Sequence, residues 1–198
     1  MTLQIRVATR RDLDSIVTVF LACWHNSYRS LLPAATITAM TEVRARELWA
    51  ARFVNDGRTE GESADQRYRE SAGSVATDDN PNPVVVLVAA RGSDVLGVTR
   101  YSRNDRSPRT GFVHSLYVSP RAQGTGAGSA LLRRAEADMG VWGFTSAVLW
   151  VFAANDPALG FYRHHGWMPD GTSRSQLEFG VPELRLQKVL SHHDQDAP

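Results

Sequence analysis

An alternating apolar stretch at residues 112–118 runs through Ser119-Pro120 into Gln123-Gly124-Thr125-Gly126-Ala127-Gly128. An amphipathic stretch carrying Ala130, Leu131, Leu132, Ala135 and Met139 follows at once. The first pattern predicts a strand and the last a helix, and the glycines between them permit backbone conformations closed to other residues. A strand ending in such a turn aims successive N–H groups into one concavity at a helix N-terminus. The partial positive charge there favours an anion such as a pyrophosphate. The unit therefore predicts an α/β chain with a phosphate cradle built from main chain.

Two nucleotide-binding patterns compete for this turn, and each lacks a required part. A dinucleotide fold needs G-x-G-x-x-G and an acidic residue at the end of the next strand. Here the spacing is G-x-G-x-G, and none of residues 144–154 is acidic. A P-loop needs Gly-Lys-Ser/Thr, but the chain's one lysine is Lys188. Taken alone, the glycines also admit a third reading, a tight turn with no ligand.

The remaining punctuation places other elements around this unit. Leu3, Ile5 and Val7 alternate as a strand, and Thr9 and Asp12 resemble a capping arrangement. Leu13, Ile16, Val17, Phe20, Leu21 and Trp24 then recur at helical spacing, with Pro33 closing the region. Thr41 is the expected N-cap of a second helix with the stripe Val43, Leu48, Trp49, Phe53 and Val54. Residues 84–90 and 95–103 read as a hairpin around Arg91-Gly92-Ser93-Asp94, and residues 146–152 as a central strand. Asn155-Asp156-Pro157 caps a helix over 157–165 that Gly166 stops; a turn-rich stretch at 169–175 and a last strand at 183–190 end the pattern.

Length and composition bound the class. The 198 residues suit one domain, with 42% hydrophobic and 22% charged residues near the globular average. Residues 57–83 are polar and Gly/Ser-rich, predicting a flexible insertion that is either a plain surface loop or a substrate lid. Residues 191–198 read as a disordered tail. The 22 basic and 21 acidic residues leave a net charge of +1, which gives no electrostatic footprint for nucleic acid. The single Cys23 allows neither an intrachain disulfide nor a thiolate metal site. With no signal-like or membrane-length apolar run, a cytoplasmic protein without membrane, nucleic-acid or metal partners is expected.

A second group of residues gives the Gly-rich turn its context. The segments Leu116-Tyr117-Val118-Ser119-Pro120, Gln123 to Leu132, and Asn155 with Phe161-Tyr162-Arg163-His164-His165-Gly166-Trp167 together resemble the GCN5-related N-acetyltransferase (GNAT) superfamily. The superfamily's Q/R-x-x-G-x-G/A turn is met in full. Its N…FY…GF element is met with Trp167 in place of the usual Phe. The resemblance implies an α/β fold whose central, mostly antiparallel twisted sheet is flanked by helices, with strands 4 and 5 splayed apart. It implies the order β-α-α-β-β-β-α-β-α-β, and a homodimer as a family expectation.

The resemblance also implies roles, residue by residue. Acetyl-CoA would enter the gap between the parted strands, its amides pairing with backbone of Leu116, Tyr117 and Val118. Its pyrophosphate would lie on the turn formed by Gln123, Gly124, Thr125, Gly126, Ala127, Gly128 and Ser129, and Asn155 would bind on the pantetheine side. Acetyl transfer needs a neutral amine, a stabilised oxyanion and a protonated leaving thiolate. Tyr162 holds the position of the family's tyrosine acid, and the N–H of Val118 that of the oxyanion donor. Many relatives place a glutamate where this chain has Phe112. His114, which alternation puts on one strand face with Phe112 and Leu116, is the candidate base, either directly or through water. Its other reading is a buried, hydrogen-bonded histidine.

Trp24, Tyr28 and Arg29 lie in the region that forms an acceptor wall in relatives. There Arg29 could meet a carboxylate, while for the aromatics core or dimer packing is the first reading and acceptor contact the second. The expected function is direct acetyl transfer to a primary amine, with a small-molecule acceptor. Acetylation of a protein N-terminus or lysine, or non-catalytic acyl-CoA sensing, are the alternatives.

Overall fold

The computed structural model describes residues 2–51, 84–104, 107–176 and 179–190. The expected insertion at 57–83, the tail at 191–198 and the stripe residues Phe53 and Val54 lie outside them. In chain order the elements are β1 (Gln4–Val7), α1 (Leu13–Asn26), α2 (Ala34–Ala39), α3 (Glu42–Ala50), β2 (Val85–Arg91), β3 (Asp94–Asn104), β4 (Ser107–Val118), α4 (Ala127–Val141), β5 (Ser146–Phe152), α5 (Asp156–His164), β6 (Met168–Ser175) and β7 (Pro182–Val189). Short 3-10 turns precede α1 and α4.

The strands form one seven-stranded sheet in the order β1-β2-β3-β4-β5-β7-β6. Every adjacent pair is antiparallel except β4 and β5, which run parallel. The expected mixed sheet with flanking helices is thus present. The continuous apolar run in β2 is explained by burial on both faces. Val85, Leu87 and Ala89 join the cluster under α4, whereas Val86 and Val88 join the cluster with Ile16, Phe20 and Trp49 of α1 and α3. The α4 cluster also takes Leu131, Leu132, Ala135 and Met139, the stripe read from sequence.

Two elements differ from the sequence expectation. The stretch expected to be turns at 169–175 is strand β6, paired with β7 and interrupted by a register shift between Pro169 and Ser173. Its polar residues suit an outer strand, where ion pairs rather than an apolar face hold it: Arg185 Nε donates to Asp170 Oδ2 at 2.6 Å. The short helix α2 was also unexpected; its six residues are too few for a periodic stripe to show.

Among the described residues no helix is long and apolar enough to cross a membrane.

Candidate active site

The parallel pairing of β4 with β5 sets the site. It runs only from Thr110↔Ser146 to Val113↔Leu149, so β4 continues past its last β5 partner through Leu116, Tyr117 and Val118. On its other edge β4 stays paired with β3, up to Gly97↔Val118. The edge facing β5 is therefore open along these residues, as the expected splay requires. A cavity of about 810 Å³ occupies the opening, bounded by β4, β5, α1, α5 and the β6–β7 hairpin. That is within the usual size range of small-ligand sites.

At one end of the cavity the chain turns into α4. Gly124 and Gly126 have φ of +77° and +86°, and a side chain at either would be strained. Nothing lies within 4 Å of where their Cβ atoms would be, so the main chain is open to close approach. Gln123, Gly124, Gly126, Gly128 and Ser129 line the cavity. Thr125 and Ala127 do not. The N–H of Thr125 is taken inside the turn by Ala122 O at 3.3 Å, and its hydroxyl donates to the same oxygen at 2.7 Å. The N–H groups of the first turn of α4 lack intrahelical partners, as at any helix start. Ser129 Oγ lies 2.9 Å from His165 Nε2, and burial, followed by the neighbouring His164, holds His165 below the ordinary histidine value.

Asn155 is the N-cap of α5, its side-chain oxygen accepting from Ala158 N at 3.2 Å. The helix presents Tyr162, which is buried yet on the cavity wall, beside Phe161 at 5.3 Å between ring centroids. Burial, and then the neighbouring Tyr117, push the Tyr162 phenol well above its ordinary value. Burial likewise pushes Tyr117 up to about 12. Both phenols stay protonated throughout the neutral range. Behind them Trp167, in the family's Phe position, donates its indole N–H to Glu136 Oε1 at 2.7 Å. This gives the larger ring's polar edge a partner.

The position of His114 carries a correction. Arg100 pairs with Ser115 and Tyr101 with Val113, so β4 has one extra residue at this point, a β-bulge. Simple alternation fails across it. Val113, Leu116 and Val118 all pack on the α4 cluster, while Tyr117 packs on the other face. His114 keeps company with Phe112, its ring edge-on at 4.5 Å, but not with Leu116. Its Nε2 lies 2.8 Å from Ser102 Oγ, and the residue lines the cavity.

The far wall is aromatic. Trp24 packs on Phe20, Tyr28 and Phe179, and Tyr28 packs on Tyr117 and Phe152. Trp24 and Tyr28 are thus packing residues and cavity wall at once. Arg29, by contrast, is exposed and does not line the cavity. Cys23 also lines it; its thiol donates to Val118 O at 3.1 Å, and burial pushes it up to about 11, which keeps it an unreactive thiol. Two buried polar atoms of this wall, Trp24 Nε1 and Ser115 Oγ, have no hydrogen-bond partner among the described residues.

The sequence reading missed the third side of the site. Arg174 of β6, Gln176 and Glu183 of β7 line the cavity, and Arg174 lies with its guanidinium carbon 4.1 Å from the centroid of Trp150. Reading 169–175 as turns removed the one local signal, the alternation that brings Arg174 opposite Glu183.

Comparison with known proteins agrees with this geometry. The chain is 22% identical over 187 residues to the uncharacterized N-acetyltransferase YuaI of Bacillus subtilis (strain 168), covering 93% of this chain and 89% of that protein. The fold matches that of the PaiA N-acetyltransferase from Thermoplasma acidophilum, solved in complex with coenzyme A. The TM-score is 0.68 at 18% identity, covering 96% of this chain and 99% of the other. It also matches yncA from Salmonella typhimurium with its cofactor acetyl-CoA, at TM-score 0.63 and 17% identity over 100% of both chains. The model of the acetyltransferase (GNAT) family matches residues 43–167, and the chain belongs to that family.

Proposed function

We propose that the protein transfers an acetyl group directly from acetyl-CoA to a primary amine of a small molecule. The observation that carries this reading is the open edge of β4, which ends on a glycine turn at a helix N-terminus within one continuous cavity. That edge offers backbone groups of Leu116 and Val118 for the amides of the pantetheine arm, those of Tyr117 between them being turned toward β3, with Asn155 across from them. The turn from Gln123 to Ser129 offers N–H groups to a pyrophosphate. The inward use of the Thr125 N–H leaves this to its neighbours.

The amine nitrogen bonds to the thioester carbonyl carbon and the carbon–sulfur bond breaks. The N–H of Val118 stabilises the oxygen that gains charge. Tyr162, kept protonated by burial, supplies the proton that the leaving sulfur takes up. The proton released by the amine passes to His114, directly or through water; the Ser102 hydroxyl at 2.8 Å orients its ring.

The test is calorimetry with acetyl-CoA followed by free-thiol release across an amine panel. Micromolar to millimolar binding, with amine-dependent thiol release, is the expected result. No binding at millimolar acetyl-CoA would overturn the reading, and binding without release on any amine would leave only acyl-CoA sensing.

A further inference from the structure

We propose that Arg174 selects the acceptor by binding a carboxylate, or an equivalent oxyanion, carried by the amine substrate. The inference rests on the acetyl-transfer reading of the same cavity and names the class of acceptor it takes.

Among the described residues lining the cavity, Arg174 is the one arginine, and Glu183 is the one carboxylate. The guanidinium is fixed at two places. Its Nε donates to Glu183 Oε2 at 2.6 Å, and its plane lies near the Trp150 ring, 4.1 Å from the centroid. Glu183 is only 6% exposed, and Gln176 Nε2 donates to the same oxygen at 2.9 Å. Among the described residues the Nη1 and Nη2 groups of Arg174 have no hydrogen-bond partner, although the side chain is 39% exposed.

A buried carboxylate satisfied along the Nε side therefore holds, on a side chain that lines the cavity, a guanidinium whose Nη groups are left without a hydrogen-bond partner among the described residues. Two parallel N–H donors on a rigid plane match the two oxygens of a carboxylate, and prior fixation lowers the entropy lost on binding. Glu183 compensates the charge of Arg174 while leaving the Nη groups unoccupied. The aromatic wall of Trp24, Tyr28 and Phe179 covers the apolar body of an acceptor. The acceptor this surface fits is an amine that also carries a carboxylate, as amino acids and peptides with a free C-terminus do. The wall is neutral overall, so a polycation finds no excess negative charge there.

The experiment uses matched pairs: phenylalanine and phenethylamine, 4-aminobutyrate and butylamine, and the dipeptide Phe-Ala and its amide. Binding is measured by calorimetry with and without coenzyme A, and acetylation by steady-state kinetics, for the wild type and for Arg174→Gln, Arg174→Lys and Glu183→Gln. The wild type is expected to favour the carboxylate member of at least one pair by tenfold or more in kcat/KM, with the difference in KM. Arg174→Gln should bring that ratio to about one, and Arg174→Lys should recover part of it. Glu183→Gln should lower it by loosening the fork. The dipeptide pair separates free amino acids from peptide termini.

Equal ratios in wild type and Arg174→Gln would overturn the inference, as would failure of every carboxylate-bearing amine to bind with or without coenzyme A. Failure of acetyl-CoA to bind, with Arg174-dependent carboxylate binding intact, would instead overturn the acetyl-transfer reading and leave the anion site standing.

Discussion

The two ends of the cavity are built from different materials. The end at the start of α4 is main chain from one short run of sequence, from the open edge of β4 through Gly124 and Gly126. The opposite end is side chains: Trp24 from α1, Tyr28 from the turn that follows it, Trp150 from β5, Arg174 from β6 and Glu183 from β7 meet only in the folded sheet. A site made from backbone depends on local conformation and tolerates varied side chains. A site made from converging side chains depends on register and on the identity of each residue. Under the proposed function, the first end holds the part common to every reaction cycle and the second decides which amine is taken.

Substitutions can break this contrast, and the largest effect is expected between the two ends, where bonds change. Tyr162→Phe should lower kcat by about 10³-fold while leaving acetyl-CoA affinity nearly unchanged, because it removes one proton donor and little volume. Full turnover in that variant would remove Tyr162 as the acid. His114→Gln should cost about 10²-fold and alter the pH dependence of kcat/KM. An unchanged profile would remove it as base.

At the main-chain end, Gly126→Val forces a β-branched residue to φ +86°, a strain of about 1–2 kcal/mol. Acetyl-CoA affinity should fall by about tenfold in calorimetry, since 1.4 kcal/mol is a factor of ten. Thr125→Val keeps the backbone and should change that affinity by less than about twofold. A large loss would show that a side chain, not the main chain, makes this end. The smallest effect is one of pH. Burial disfavours the charged phenolate, so Tyr162 ionises only above the ordinary tyrosine value, and kcat should stay flat on the alkaline side up to pH ~10. An alkaline limb below that, abolished in Tyr162→Phe, would contradict it.

The same division explains what could be read from the amino-acid order. The strand, glycine turn and helix of the main-chain end lie within one segment, and their spacings are local rules, so this strand-turn-helix unit was legible without a structure. The continuous run in β2 likewise announced a strand, and the structure supplies the reason it does not alternate, burial on both faces. Three features escaped for physical reasons. The bulge at His114 needs the partner strand β3 to define it, since an extra residue in one strand leaves no mark in that strand's own pattern. Strand β6 is polar and carries Pro169 and Gly171, so local propensity points to turns, and pairing with β7 overrides it. Arg29 looked well placed because it follows Tyr28 in sequence. The helix has ended at Asn26, however, and the chain turns at Tyr28, whose carbonyl accepts from Leu31 N and Leu32 N, which leaves Arg29 exposed and off the cavity wall that Arg174 lines instead.

The partnership behind Trp167 bears on the chain's own exposure to acyl donors. Glu136 takes the Trp167 indole on one oxygen and Lys188 Nζ on the other at 2.7 Å, and the lysine side chain is 25% exposed. Lys188 is the only lysine in the sequence. An ammonium held by a carboxylate is a poor nucleophile, so the fold ties down the one side-chain amine that a thioester could modify. Amine-reactive dyes and crosslinkers should label this protein sparingly at its side chains, and Glu136→Gln should raise that labelling.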